Sequence, residues 1–369
     1  MKLFQPFRTK GTDFYIGAAA FALALFGLVM IYSASSYSAK ADTGDSFFFV
    51  KKQMSGLLMG VAAFGFFALL DYRRLKRFAL PALLLSYIML ALVFVPGIGV
   101  ENYGAKRWIG AGGFTLQPSE IAKFAFILFA ASYMSARERT MPRFITLLPV
   151  LGAGSAACLL IILEPNMSIT VCVALTMMVM LFVGGARLKH LAMLMLPLVA
   201  LIPVLIIIEP YRMNRLMAFL DPWASPKNEG YQLIQSLFAL GSGGLFGVGL
   251  FNSRQKYEFL PFSESDFIFS VIGEELGLVG CLALMVLFFL LIWRGVRCAL
   301  RARDRFGAYL AAGITAMITI QVLVNIAVVT GSIPPTGLPL PFISYGGSSL
   351  TVFLGAAGIL HSISSCAEE

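Results

Sequence analysis

Charged residues are scarce in this chain. Only 13% of its 369 residues are Asp, Glu, Lys or Arg, whereas a soluble domain carries about 25%. Its two histidines, His190 and His361, have no partner at metal-ligand spacing, so a zinc site is not expected. Its five cysteines fall in predicted spans or on the predicted cytoplasmic side, which argues against a disulfide framework. These shortages exclude an ordinary soluble domain and a disulfide-stabilised secreted one.

Apolar sequence fills the space that charge leaves. Hydrophobic residues make up 59% of the chain, and uncharged runs of about 18 residues or more recur, each long enough to cross a bilayer. The runs lack the alternation of barrel strands. The sequence therefore predicts an all-α polytopic membrane protein, with residues 1–369 forming one membrane domain. The ten predicted transmembrane helices are 14–35, 50–70, 78–96, 117–136, 144–163, 167–184, 190–208, 266–293, 307–330 and 345–363.

The distribution of basic residues predicts the topology. A net charge of +9 could indicate a nucleic-acid partner, but most lysines and arginines lie in short loops on one side of the predicted spans. This is the positive-inside pattern. It predicts that both termini, the arm 1–13 and the tail 364–369, are cytoplasmic, and it argues against nucleic acid. The first apolar run lacks a convincing cleavage site, so we expect a retained helix.

A long polar segment, 209–265, separates predicted spans 7 and 8 and forms a large extracellular loop. Loops of this length are usually functional or disordered, and its aromatic residues argue against disorder. Residues 230–240, which include Gln235, predict an amphipathic helix lying on the membrane. Residues 241–249 contain five glycines, which predict either a phosphate cradle or a tight turn beneath packed helices.

Asp266 follows this loop at the predicted start of span 8. Ser263, Glu264, Ser265 and Asp266 match the capping-box pattern, which would make Asp266 a helix cap. A carboxylate at a membrane-facing helix start beside a basic loop is equally well placed as a general base. Both interpretations remain open from the sequence.

Further polar residues are predicted near the same face. Lys106 and Arg107 could anchor the chain to lipid phosphates or bind a pyrophosphate. Glu120 and Lys123, three positions apart in span 4, are either a functional or a structural pair. Arg212 and Arg215 share one helical face.

Two further groups are marked by local sequence. Glu274 and Glu275 lie deeper in span 8 and need a polar partner, for which Lys123 is one candidate. Residues 331–349 contain four prolines and are expected to line a cavity.

Seven motifs in this order resemble one family, the SEDS proteins of bacterial shape, elongation, division and sporulation. The motifs are GAKRWI (104–109), QPSEIAK (117–123), FLDPW (219–223), GYQLIQSLFALGSGGLFGVGL (230–250), SRQKYEFLP (253–261), DFIFSVIGEELGLVG (266–280) and PLPFISYGGSSL (339–350). FLDPW and IWRG (292–295) resemble the division and sporulation branch (FtsW and SpoVE) rather than the elongation branch (RodA).

The resemblance implies a peptidoglycan glycosyltransferase that polymerises lipid II, an undecaprenyl-pyrophosphate-linked disaccharide peptide, at the outer face of the bacterial cytoplasmic membrane. It places the family's essential aspartate at Asp266. The cavity residues it implies are Lys106, Arg107, Glu120, Lys123, Ser344, Tyr345, Gly346 and Gly347. It also implies a class B penicillin-binding transpeptidase as partner, together with other division or sporulation membrane proteins. The approach to the aspartate departs from the family, which usually has Pro-Glu-x-His-Thr-Asp where this chain has Pro-Phe-Ser-Glu-Ser-Asp.

The hypothesis that follows makes Asp266 the base that activates the acceptor sugar. Cations would stabilise the departing pyrophosphate, with a divalent Mg²⁺ or Mn²⁺ ion compatible but not indicated by any motif. The candidate cations are Lys106, Arg107, Arg212, Arg215 and Lys256. The alternatives are a lipid II flippase and a non-catalytic scaffold of a cell-wall synthesis complex.

Overall fold

The computed structural model describes residues 13–102, 105–111, 114–208, 210–228, 230–257 and 259–366. Apart from Asp13, the predicted arm 1–13 lies outside this part of the chain, and the predicted tail is described as far as Cys366. The helices are α1 (Phe14–Thr43), α2 (Phe48–Leu69), α3 (Ala79–Leu92), α4 (Pro118–Ala136), α5 (Phe144–Leu163), α6 (Met167–Val183), α7 (Leu188–Ile208), α8 (Pro210–Leu220), α9 (Tyr231–Gly243), α10 (Ile268–Leu300), α11 (Arg305–Val329) and α12 (Gly347–Ser365). Short 3-10 helices cover Tyr72–Phe78, Glu138–Thr140 and Pro222–Ala224.

A helix coincides with each of the ten predicted spans. In the described residues, seven helical segments are long and apolar enough to cross a membrane, and they include α1, α2, α3, α5, α10, α11 and α12. Helix α6 is apolar but has only 17 residues, and α4 carries Glu120 and Lys123 within its first two turns. The protein is therefore an integral membrane protein built mainly from long apolar helices.

Two connections differ from the sequence-based expectation. Residues 36–43, expected in a polar loop, continue α1, which ends where Gly44 adopts a left-handed conformation with φ of 76°. The connection between α3 and α4 forms a small antiparallel sheet with β1 (Gly99–Asn102), β2 (Ala105–Ala111) and β3 (Phe114–Leu116) in that order. Strands this short leave little periodic signal in the sequence.

Helix α11 lies at the centre of the bundle, in contact with α4, α6 and α10. Helix α12 packs along α2 with glycines at the closest approach. A Cβ atom added to Gly56 would come within 2.4 Å of the Cα atom of Gly347. Larger side chains would separate these helices, because close approach of two helix backbones requires small residues.

Helix α10 is interrupted at Gly277, whose φ is 66°. The glycine-rich segment 244–249 closes this break through four backbone hydrogen bonds. The amides of Val248 and Gly249 donate to the carbonyls of Glu274 and Glu275 at 2.9 and 3.0 Å. Two more bonds run in reverse, from Leu278 to Gly244 and from Val279 to Leu245.

This packing decides between the two interpretations of the glycine-rich segment. The amides of residues 247–249 all donate to carbonyls of the protein, since Gly247 bonds Gly243 at 2.8 Å. They therefore serve a tight turn against α10 and not a phosphate cradle. Irregular backbone among apolar helices is tolerated only where its polar groups are satisfied in this way.

We predict that Gly247→Ala strongly destabilises the protein. The added Cβ would lie 2.1 Å from the carbonyl oxygen of Glu275, at a residue whose φ is +80°. Separating the segment from α10 should cost about 2–4 kcal/mol. Gly241→Ala is the matched control, because nothing lies within 4 Å of its Cβ position. Thermal unfolding in detergent measures both, and equal melting temperatures would contradict the packing described.

Candidate active site around Asp266

Asp266 lies in a tight turn just before α10. The helix begins at Ile268, and its N-cap Phe267 makes no side-chain capping bond. The turn is closed instead by the amides of Ser265 and Phe267, which donate to the carbonyl of Phe262 at 3.1 and 3.3 Å. The predicted capping box is therefore wrong, because backbone bonds satisfy this helix start and the Asp266 carboxylate is not used as a cap.

The Asp266 side chain is half-buried and borders a second loop. Its Oδ2 atom lies 3.1 Å from the position a Cβ would take on Gly337, an exposed residue with φ of 69°. Among the described residues, no hydrogen bond engages the carboxylate, whereas the main-chain carbonyl of Asp266 accepts one from Asn325 at 2.9 Å. The backbone of Asp266 is thus fixed while its carboxylate remains available.

Opposing charges surround this carboxylate. The pKa of Asp266 is raised to about 6: burial is the largest cause and the neighbouring Glu264 adds to it, whereas Arg215 and Arg107 lower it. A carboxylate with this pKa is mostly ionised at neutral pH and still basic enough to accept a proton. The electrostatic setting suits a general base.

Both arginines are held by main-chain carbonyls of loops beside the site. Arg107, on β2, donates from Nε to the Glu164 carbonyl at 3.2 Å and from Nη2 to the Pro165 carbonyl at 2.6 Å. Arg215, on α8, donates from Nη1 to the carbonyl of Pro335 at 3.1 Å. These bonds bring the β2 loop, the turn after α5 and the loop after α11 together around Asp266.

The other predicted cations are placed differently. Lys106 is exposed on β2, and successive strand residues point to opposite faces, so it does not form a clamp with Arg107. Arg212 lies on α8 as predicted, but its side chain is outside the described part.

Lys256 is only 5% exposed, and its ammonium group has partners inside the protein. Its Nζ donates to the carbonyl of Phe251 and lies 3.7 Å from Glu275. Its charge is therefore compensated inside the protein, and its role as a substrate-binding cation stays a prediction.

Glu274 and Glu275 hold the loop that contains Lys256. Glu274 accepts from the amide of Arg254 at 2.9 Å, and Glu275 accepts from the amide of Ser253 at 3.2 Å. The hydroxyl of Ser33 on α1 also donates to Glu275 at 2.6 Å. The predicted pairing of these carboxylates with Lys123 is wrong, since loop amides and Lys256 provide their partners.

Glu120 and Lys123 form the predicted pair at 2.9 Å, and both are fully buried. The ammonium of Lys123 also donates to Oε1 of Gln321 at 2.8 Å. The hydroxyl of Ser349 donates to the second oxygen of Glu120 at 2.9 Å. These contacts join α4, α11 and α12 and favour the structural alternative, while the role of Glu120 and Lys123 as substrate ligands stays a prediction.

The segment of Ser344, Tyr345, Gly346 and Gly347 lies behind the Asp266 turn. The hydroxyl of Ser344 donates to the Ser265 carbonyl at 2.6 Å, and the Tyr345 amide donates to the Glu264 carbonyl at 2.9 Å. The Gly346 amide bonds Gln53 on α2. These three contacts hold the segment against its neighbours, and the bonds from Ser344 and Tyr345 fix the backbone of the turn that carries Asp266.

Sequence reasoning missed several residues that shape this site. Gln235 was predicted and lies half-buried on α9, but Gln53, Gln321 and Asn325 were not singled out. The available signal was their position as polar amides within apolar spans. Burial also raises the pKa of Glu164, in the turn after α5, to about 8 while Arg107 opposes that shift.

The described residues contain no group of three or more His, Cys, Asp or Glu side chains that could hold a metal ion. The divalent ion named above stays a prediction, and we route no step through it.

These features define a class: an integral membrane protein whose helix connections bring one carboxylate and two arginines together on one side of the bundle. The chain belongs to the FtsW/RodA/SpoVE family, described as cell cycle proteins, whose family model matches residues 14–369.

Individual relatives match over nearly the whole chain. Stage V sporulation protein E of Bacillus subtilis (strain 168) is 42% identical, with 96% of this chain and 98% of the relative covered. A probable peptidoglycan glycosyltransferase FtsW of Geobacter metallireducens is 43% identical, with coverages of 95% and 94%.

A solved structure describing the coordination of polymerization and crosslinking by a peptidoglycan synthase complex contains a similar chain. That chain is 30% identical, with a TM-score of 0.79, and the match covers 96% of this chain and 98% of that one. Fold and sequence therefore agree on the family.

We predict that Lys123→Met destabilises the protein by about 3–5 kcal/mol, because it leaves the Glu120 carboxylate buried without its cation. Adding Glu120→Gln should recover part of this loss. Thermal unfolding of the single and double variants measures the effect. A substrate-contact role would instead leave the melting temperature unchanged and raise KM, and that result would refute the structural assignment.

Proposed function

We propose that this chain is a peptidoglycan glycosyltransferase that polymerises lipid II, with Asp266 as its general base. The observation that carries the proposal is the Asp266 carboxylate, which no hydrogen bond engages within the described part of the chain and which both Arg107 and Arg215 influence. The names of the relatives, peptidoglycan glycosyltransferase FtsW and stage V sporulation protein E, support the activity.

The reaction follows from this arrangement. Asp266 takes the proton of the acceptor sugar's 4-hydroxyl as that oxygen attacks the anomeric carbon of the lipid-linked donor. The bond from that carbon to the pyrophosphate oxygen breaks, and the pyrophosphate leaves with the electron pair. Arg107 and Arg215 are placed to stabilise its growing charge, and Arg212 and the exposed Lys106 are further candidates on the same two elements.

The topology is part of the proposal. We infer ten membrane spans with both termini in the cytoplasm, which places Asp266, Arg107 and Arg215 at the outer face of the bacterial cytoplasmic membrane. The concentration of basic residues in the opposite connections supports this orientation. On that face the enzyme would meet lipid II after its transfer across the membrane.

A class B penicillin-binding transpeptidase is the proposed partner. Support comes from the similar chain in a peptidoglycan synthase complex that coordinates polymerization with crosslinking. The similarity to FtsW and stage V sporulation protein E supports a role in division or sporulation, and we propose that other membrane proteins of those processes assemble with this chain.

The flippase and scaffold alternatives receive less support. A scaffold has no need of a half-buried carboxylate whose environment keeps it basic and ionised. A flippase would favour polar groups near the membrane midplane, whereas Glu120 and Lys123 lie in the first two turns of α4 and are engaged with each other and with Gln321.

We predict that Asp266→Asn abolishes lipid II polymerisation, with a loss of at least about 10²-fold, because loss of a general base typically costs 10²–10⁴-fold. Purified protein would be assayed with a candidate transpeptidase whose active-site serine is mutated. Asp45→Asn is the control, since its ion pair with Lys51 is exposed and contributes little. Normal strand formation by a folded Asp266→Asn protein would eliminate the proposed base.

The pKa of Asp266 also predicts the pH dependence. Burial raises this pKa above the ordinary value to about 6, so the base is progressively protonated as the pH falls through that value. The kcat/KM of polymerisation should be level above about pH 7 and fall about tenfold per pH unit well below 6. Initial rates across this range provide the measurement. An acid limb near pH 4 would show that Asp266 is not desolvated as described.

A further inference from the structure

Two buried amides stand one turn apart on the central helix α11. Gln321 is fully buried and Asn325 is 1% exposed, and their spacing of four residues places them on one face of the helix. Polar side chains inside an apolar helix bundle are costly unless they are hydrogen-bonded. Their partners therefore indicate what the helix gains from them.

Asn325 joins two separate segments of the chain. Its Nδ2 donates to the main-chain carbonyl of Asp266 at 2.9 Å and to that of Leu338 at 2.6 Å. Both acceptors are carbonyl oxygens, so the amide must present its NH₂ group to them and uses both hydrogens. A single side chain thus connects the turn before α10 to the loop after α11.

Gln321 supports the same loop one residue further on. Its Nε2 donates to the carbonyl of Pro339 at 2.9 Å, and its Oε1 accepts from Lys123 at 2.8 Å. Gln321 therefore connects the buried pair of Glu120 and Lys123 to the loop that Asn325 also binds.

The bonded residues border the carboxylate directly. Leu338 follows Gly337, whose backbone approaches Oδ2 of Asp266 so closely that a Cβ there would lie 3.1 Å from that atom. Asn325 therefore bonds Asp266 itself and also Leu338, the neighbour of the Gly337 that faces the Asp266 carboxylate. Loss of the Asn325 amide would remove the bonds that hold both the Asp266 turn and the loop at Leu338.

We propose that Asn325 is a positioning residue for the transferase reaction, fixing the distance between the Asp266 carboxylate and the 337–339 backbone, with Gln321 as its support. The inference rests on the proposed role of Asp266 as base. Asn325 acts through the backbone and contacts no substrate. Its contribution should therefore appear in kcat, because a displacement of about 1 Å in a reacting group can cost about 10²-fold.

The pH profile offers a second measurement that a merely structural role would not move. The described charged groups that influence Asp266 are Glu264 in its own turn, Arg215 on α8 and Arg107 on β2. Burial is the largest of the effects on its pKa. A loosened turn would hydrate the carboxylate and move the acid limb of the rate profile to lower pH.

The test is a graded series at one position. Asn325→Thr keeps one hydrogen-bond donor and Asn325→Leu keeps none, in side chains of similar size. Thr319→Val is the matched control on α11, because the Thr319 hydroxyl bonds only the Thr315 carbonyl of its own helix at 2.7 Å. Lipid II polymerisation by the full chain with its transpeptidase partner would be measured per folded molecule.

We expect kcat to fall about tenfold for Asn325→Thr and about a hundredfold for Asn325→Leu. KM should stay within about twofold, the acid limb should move to lower pH, and Thr319→Val should match the wild type. A folded Asn325→Leu protein with wild-type kcat and acid limb would overturn the proposal. If that variant does not fold, the same result for Asn325→Thr would overturn it.

Asp266→Asn in the same assay separates the two proposals. If it is inactive while folded Asn325→Leu is normal, Asp266 remains the base and only the positioning role fails. If Asp266→Asn is fully active, the proposed base fails and the positioning role fails with it.

Discussion

The structure depends on one constraint: a backbone amide or carbonyl buried among apolar helices must find a hydrogen-bond partner. Helix α10 opens at Gly277, and the segment 244–249 supplies the bonds that the break removes. The loop after α11 meets the same requirement through side chains, since Gln321 and Asn325 accommodate the carbonyls of residues 338 and 339. Irregular segments can therefore enter the bundle at fixed positions, which a fully regular bundle would not allow.

This constraint also explains how the backbone of Asp266 can be fixed without a hydrogen bond to its carboxylate from the described residues. The turn at Asp266 is fixed through backbone groups, by Asn325, Ser344 and Tyr345, so no hydrogen bond of the carboxylate is needed for positioning. Preorganised groups on a rigid support lose little free energy when substrate arrives. Main-chain anchoring with an unengaged side chain is an arrangement suited to catalysis, whereas a capping aspartate would already be occupied.

The sequence predicted the features that depend on local pattern, and it failed where distant contacts decide. A helix coincides with each of the ten apolar runs predicted as spans, and the three-residue spacing predicted the contact of Glu120 with Lys123. The capping box at Asp266 was wrong, and the burial of Lys256 beside Glu275 was not foreseen. A local motif does not reveal that backbone bonds already close the turn, or that Glu275 lies within 3.7 Å of a basic side chain. Such contacts join residues from different elements, so the spacing of residues within one local motif cannot predict them.

The basic residues fall into two groups, those whose charge is paired inside the protein and those bound to main-chain carbonyls beside Asp266. Lys123 and Lys256 are buried, and each must be compensated within the protein, because an unpaired buried charge is strongly unfavourable. Arg107 and Arg215 instead bind neutral carbonyls and keep their charge uncompensated by those partners. That charge lowers the pKa of Asp266 while burial raises it. The two effects oppose each other, and with a pKa of about 6 the Asp266 carboxylate is mostly ionised at neutral pH.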